Sequence, residues 1–106
     1  MKIIHQDFFT IFYENTDSSG FAYHTSYLSF AERARSNLLI HKFPEVIKML
    51  KNNSTFFVVK NLRVNFIQPS YLFDELKVST YYEKNSYTSI NLIQYINLKK
   101  TKLCEI

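Results

Sequence analysis

The apolar residues of this 106-residue chain change their period once and then change it back, which limits the elements it can form. From Tyr23 onward, Tyr27, Phe30, Ala31, Ala34 and Leu38 recur at intervals of three and four, while Glu32, Arg33 and Arg35 take the other side. That spacing marks one face of a long helix. Thr25 or Ser26 is positioned to cap its start. Pro44 blocks simple continuation and opens a short second helical piece as far as Leu50. The two alanines let such a helix approach a sheet closely.

On either side of the helix the period is two. Phe8 to Glu14 is rich enough in aromatic and β-branched residues for a first strand, ended by the turn-forming run Asn15, Thr16, Asp17, Ser18, Ser19, Gly20. Phe56, Val58, Leu62, Val64 and Phe66 share one parity between Thr55 and Phe66, and Gln68-Pro69-Ser70 marks a break. Lys60 falls on the apolar parity, the position of a bulge or of an edge lysine whose stem lies on apolar surface. Leu76, Val78, Thr80 and Tyr82 alternate. After Lys84-Asn85-Ser86 so do Thr88, Ile90, Leu92, Gln94, Ile96 and Leu98, which predicts a hairpin. Past Lys99-Lys100-Thr101, "KLCEI" starts like a strand. The expected order is a strand, a long helix, then three or four antiparallel strands: an α+β domain with the helix on one face of a sheet.

A chain of this length, 46% apolar, supports one domain over residues 1–106. Eight Tyr and ten Phe supply bulk in place of the missing Trp. The N-terminal segment interleaves polar residues, and no stretch approaches the ~18 apolar residues of a membrane span, so a cytoplasmic protein without a span is expected. Cys104 has no partner for a disulfide and reads as apolar filler. The net charge of +4 is spread out, without a dense basic helix or an aromatic ribonucleoprotein pattern, which argues against a nucleic-acid partner. It suits a phosphorylated cofactor or an acidic carrier protein. His5, His24 and His41 lack ligand spacing, so no metal is expected.

Gly20 is the only glycine, three residues after Asp17 and four before His24. A glycine is required where φ is positive or where another group comes too close for a Cβ. At a strand-to-helix turn it suggests a fixed loop at the helix entrance. There, unpaired N–H groups and a partial positive charge can hold a developing oxyanion. Asp17 adds a carboxylate able to attack a carbonyl or activate water. The same aspartate also suits local hydrogen bonding and dipole stabilisation. His24 is either an acid/base group or a residue that contributes its backbone N–H.

The run Tyr13, Thr16-Asp17, Gly20, Tyr23-His24, Tyr27-Leu28, Phe30 and Glu32-Arg33-Ala34-Arg35 resembles the signature Y-x-x-T-D-x-x-G-x-x-Y-H-x-x-Y-L-x-F-x-E-x-A-R of hotdog-fold acyl-CoA thioesterases. The group in question is the Tol-Pal-associated one, related to 4-hydroxybenzoyl-CoA thioesterase. A looser likeness runs through "FFVVKNLRVNFIQPSYLFDEL", "INLIQYI" and "LCEI".

The resemblance implies a long central helix wrapped by an antiparallel sheet, and protomers paired as a homodimer or tetramer with active sites at their interface. It implies hydrolysis of acyl-CoA, or of acyl groups on acyl carrier protein, to a free acid and a thiol, with no cofactor beyond the CoA of the substrate. Asp17 would be the catalytic nucleophile or general base, the backbone N–H of His24 would polarise the thioester carbonyl, and Gly20 would shape the loop. Tyr23, Lys60, Arg63 and Lys84 would contact substrate, while Tyr27 would pack. Asn15 and Asn37 stand where relatives often carry carboxylates. Relatives continue past "LCEI", so the chain is expected to lack the end of its last strand. The alternatives are a non-catalytic acyl-CoA-binding or scaffold module, for which Asp17→Asn would change little, and a hydroxyacyl dehydratase, which would require a catalytic histidine.

Overall fold

The computed structural model describes residues 2–106. Five antiparallel strands form one sheet: β1 (Lys2–Thr10), β2 (Asn65–Phe66), β3 (Glu75–Asn85), β4 (Ile90–Leu98) and β5 (Thr101–Glu105), in the spatial order β1-β3-β4-β5-β2. Two helices, α1 (His24–Lys42) and α2 (Pro44–Lys51), separate β1 from β2. A single-turn 3-10 helix, Tyr13–Asn15, leads into the loop before α1.

The residues assigned to the buried face of α1 lie there. Tyr27, Phe30, Ala31, Ala34 and Leu38 are all buried, with both alanines at 0% exposure. Tyr27, Phe30 and Ala34 cluster with Leu76, Val78, Ile96, Leu103 and Cys104 from the sheet and with Ile11. Cys104 is fully buried in this core. α2 begins at Pro44 as expected.

Several expectations need correction. The first strand lies further toward the N-terminus than Phe8 to Glu14, because its inward positions are occupied by His5 and Asp7 as well as Phe9. These residues pair in register with Thr80, Val78 and Leu76 and face α1: Phe9 stacks on Phe30, Asp7 accepts a 3.4 Å hydrogen bond from Asn37, and His5 stacks on His41. α1 starts at His24 with Tyr23 as its cap in extended conformation, so neither Thr25 nor Ser26 caps it.

Of the strand expected over Thr55 to Phe66, only Asn65 and Phe66 are laddered, and their partner is β5. Residues 55–64 have no strand neighbour among the described residues, so their alternation has no ladder to serve. Lys60 is exposed there, at neither a bulge nor a strand edge. The hairpin of β3 and β4 stands as expected, but Lys84 and Asn85 belong to β3, and the turn closes between Ser86 N–H and the Ser89 carbonyl at 2.8 Å. β5 is five residues long and laddered on both sides.

Candidate active site

Asp17 sits on a small hairpin. Thr16 and Ala22 form an antiparallel bridge, Asp17 N–H donates to the Phe21 carbonyl at 2.9 Å, and Gly20 N–H donates to the Asp17 carbonyl at 3.1 Å. Gly20 has φ +87°, and a Cβ built on it meets nothing within 4 Å. Of the two reasons for a glycine, backbone conformation is therefore the one that applies here.

Both arms of the hairpin are tied down. The Asn15 carbonyl, before the first arm, accepts from Tyr23 N–H at 2.8 Å and from Ser26 Oγ at 3.0 Å, which fastens it to the start of α1. The second arm lies against residues 70–72. Ala22 N–H donates to the Ser70 carbonyl at 2.9 Å, Phe21 and Tyr71 form a bridge with their rings 4.7 Å apart, and Leu72 N–H donates to the Gly20 carbonyl at 3.2 Å. Ser70 in turn meets Tyr27, hydroxyl to hydroxyl, at 2.5 Å.

The carboxylate of Asp17 is half-exposed and unevenly occupied. Oδ1 accepts from Ser19 N–H at 2.9 Å and from Ser19 Oγ, while Oδ2 has no partner among the described residues. Donation by the Ser19 hydroxyl, aided by backbone N–H groups, holds its pKa below the ordinary carboxylate value. Asp17 is accordingly ionised at neutral pH, with one oxygen oriented and the other open.

His24 is the first residue of α1, where helix geometry leaves the backbone N–H without an intrahelical acceptor. Its ring is exposed and meets Phe66 edge-on at 5.8 Å. Tyr23 is exposed beside it, whereas Tyr27 is buried, and desolvation raises its pKa. Asp17, Gly20, Tyr23 and His24 therefore share one end of the molecule. Lys60 and Arg63 are exposed in the segment leading to Phe66, without an ion pair among the described residues. Lys84 is not part of this group. It lies near the tip of the β3–β4 hairpin, about 30 Å along β3 from the Glu75 end that adjoins residues 70–74.

The sequence marks Asn15 as a turn residue, Ser26 as a candidate cap and Ser70 as part of a break, and gives none of them a part in holding the hairpin. Two of them act through a backbone carbonyl, which any residue type provides, and isolated serines carry no pattern. Among the described residues no group of three or more His, Cys, Asp or Glu side chains is placed to hold a metal ion. No described helix is long and apolar enough to cross a membrane.

No protein-family model matches the chain. It is 36% identical over 97 residues to the acyl-CoA thioester hydrolase YbgC of Escherichia coli O6:H1, an alignment covering 90% of this chain and 71% of that protein. A probable thioesterase from Bartonella henselae superposes with a TM-score of 0.87 at 27% identity, covering 98% of this chain and 86% of the other. A 1,4-dihydroxy-2-naphthoyl-CoA thioesterase from Synechocystis has the same fold, with a TM-score of 0.86 at 14% identity over 95% of this chain and 75% of its own.

Proposed function

Because the chain belongs to the YbgC acyl-CoA thioester hydrolases, we propose that it cleaves acyl thioesters with the carboxylate of Asp17 and holds the developing oxyanion at the backbone N–H of His24. The fold is the hotdog arrangement of its thioesterase neighbours, an antiparallel five-stranded sheet with two helices. In our reading α1 is the central helix of that arrangement, supported by the full burial of Ala31 and Ala34 against the sheet.

One observation carries the mechanism: an ionised carboxylate with one oxygen held by Ser19 and the other open, on a hairpin fastened to the N-terminus of a helix. With the thioester carbonyl at the helix start, Asp17 Oδ2 either attacks the carbonyl carbon or takes a proton from an attacking water. In the first route the thiolate leaves and the acyl-aspartyl anhydride is then hydrolysed. In the second, water adds directly. Each consumes one water and yields one acid and one thiol, and in each the carbonyl oxygen becomes negative beside N–H donors that need no reorganisation. The exposed cations Lys60 and Arg63 suit the phosphates of CoA or an acidic carrier protein. Lys84 fits that role only toward a site on another protomer.

A second copy of the chain is the proposed partner of residues 55–64. Phe56 and Val58 are 78% and 73% exposed, Phe57, Val59 and Leu62 are also exposed, and β2 at the end of this segment is already an edge of the sheet. Pairing of two such edges would cover them and bring a second protomer beside Phe66 and His24. A cytoplasmic place beside the Tol-Pal envelope system follows from the resemblance alone and is part of the proposal.

The test is thiol release from acetyl-, hexanoyl-, palmitoyl- and benzoyl-CoA by the wild type and by Asp17→Asn, each first checked for folding by circular dichroism. Turnover that disappears in the variant supports the assignment. Turnover that persists removes Asp17 from the mechanism.

A further inference from the structure

We infer that the buried hydrogen bond between the hydroxyls of Tyr27 and Ser70 positions the Asp17 carboxylate, by fixing the second arm of its hairpin to the first turns of α1. The inference rests on the reading of Asp17 as the reacting group.

The two arms are secured differently. The first reaches α1 directly, since the Asn15 carbonyl bonds Tyr23 N–H and Ser26 Oγ. The second is bridged to the first through Thr16–Ala22 and Asp17–Phe21 and runs into α1 at Tyr23, while its outer side is held by residues 70–72, through Ala22 to Ser70, Phe21 to Tyr71 and Leu72 to Gly20. The outer side of that arm, with Gly20 and Phe21 at the turn, therefore depends on the position of residues 70–72. Tyr71 and Asp74 bond each other, and Ile11 exchanges backbone hydrogen bonds with Phe73 and Asp74 at 2.7 and 2.9 Å, which ties the segment to the end of β1 and not to the helix. The link across to α1 is the Tyr27–Ser70 bond.

That bond is a costly feature if packing is all it serves. Ser70 is 0% exposed and Tyr27 is 3% exposed. Phenylalanine at 27 and alanine at 70 would keep most of the apolar contact with no polar group to satisfy. Two hydroxyls at 2.5 Å in a dry site instead form a short, directional and strengthened bond, which fixes a relative position in a way apolar packing does not. Consecutive residues of α1, Ser26 and Tyr27, thus hold the two arms, and the same end of α1 supplies the oxyanion donor. Both attachments constrain where the carboxylate sits relative to that donor.

Loosening the second arm would leave substrate able to bind and the carboxylate less often in line. The test uses Tyr27→Phe, Ser70→Ala and the double variant, with kcat and KM measured separately on whichever of the four acyl-CoAs the wild type hydrolyses fastest. Amide hydrogen exchange is followed at Ala22, Leu72 and, as an internal reference in α1, Ala34. The expected result is a kcat lower by about 10- to 100-fold with KM changed less than about twofold. The double variant should be no slower than the slower single variant, and exchange at Ala22 and Leu72 should rise by about tenfold or more while Ala34 stays protected.

A folded Tyr27→Phe with wild-type kcat would overturn the inference, as would a loss of kcat with Ala22 and Leu72 still protected, or single effects that multiply in the double variant. If instead Asp17→Asn retains turnover, or the wild type hydrolyses none of the four thioesters, the catalytic reading fails on its own measurement. The exchange data then still decide whether the hydroxyl pair holds the hairpin.

Discussion

Arg35 on α1 donates through Nη1 to Gln94 Oε1 on β4 at 2.8 Å, so a half-buried cation is held between helix and sheet by a neutral amide, with no carboxylate in an ion pair with it among the described residues. Gln94 is buried and uses its Nε2 as well, donating to the Ala31 carbonyl at 2.9 Å and to Thr80 Oγ1 at 3.1 Å. Burial lowers the pKa of Arg35, and the Glu32 carboxylate offsets part of that effect. Gln94→Ala should remove three hydrogen bonds, leave a cavity and destabilise the fold by about 2–4 kcal/mol. Arg35→Met keeps the stem and removes a poorly solvated charge but leaves the buried Gln94 Oε1 without its donor, so it should cost about 1–2 kcal/mol, less than Gln94→Ala. Urea unfolding with an unchanged m-value checks both, and a larger loss in Arg35→Met than in Gln94→Ala would reverse the assignment.

With Asp17 as the proposed reacting carboxylate, Ser19 is expected to set the pH at which activity appears. Its hydroxyl is the largest of the influences that keep Asp17 below the ordinary carboxylate value. Ser19→Ala removes that donor, so the pKa rises, a larger share of Asp17 is protonated at a given acidic pH, and the acid limb of kcat/KM moves to higher pH. Activity near neutrality should be affected far less than activity at the acid end. A pH profile with an unmoved acid limb would mean that a group other than Asp17 controls it.

Gly20 is required by its backbone and not by its surroundings. With φ at +87° and open space around the missing Cβ, Gly20→Ala should cost about 1–2 kcal/mol of hairpin conformational energy, with no clash elsewhere. Asparagine tolerates the left-handed region better, so Gly20→Asn should retain more turnover than Gly20→Ala. Equal losses in the two variants would point instead to a contact made by bound substrate.

The elements that were legible in the sequence are those whose pattern matches burial inside this one chain. The face of α1 from Tyr27 to Leu38 could be read because helix and sheet bury it together, and the β3–β4 hairpin because its inward positions are apolar or satisfied, as Thr80 and Gln94 are. β1 begins earlier than the alternation predicts because two of its inward positions are His5 and Asp7, joined by a 2.8 Å contact, so polar residues occupy the side where alternation predicts apolar ones. At the candidate site the sequence marks Asp17 and Gly20, whose chemistry depends on residue type. It does not mark the Asn15 and Ser70 carbonyls that hold them, since every residue has a carbonyl.

The remaining discrepancy, a strand pattern over residues 55–64 without a strand, makes its own prediction. Alternation of Phe56, Val58, Leu62, Val64 and Phe66 matches a sheet with one covered face, yet within the chain only Asn65 and Phe66 find a ladder. A pattern of this kind matches burial by something outside the protomer, and an unpaired edge rich in large apolar groups is prone to associate. The chain should therefore sediment as a dimer or a larger even assembly at micromolar concentration. Phe56→Asp together with Val58→Asp places two charges on that face and should yield a monomer with α1 and the β3–β4 hairpin intact by circular dichroism. If active sites lie at the interface, turnover should fall along with the sedimentation coefficient. A wild-type chain that sediments as a monomer while hydrolysing acyl-CoA would show that residues 55–64 need no second copy for catalysis.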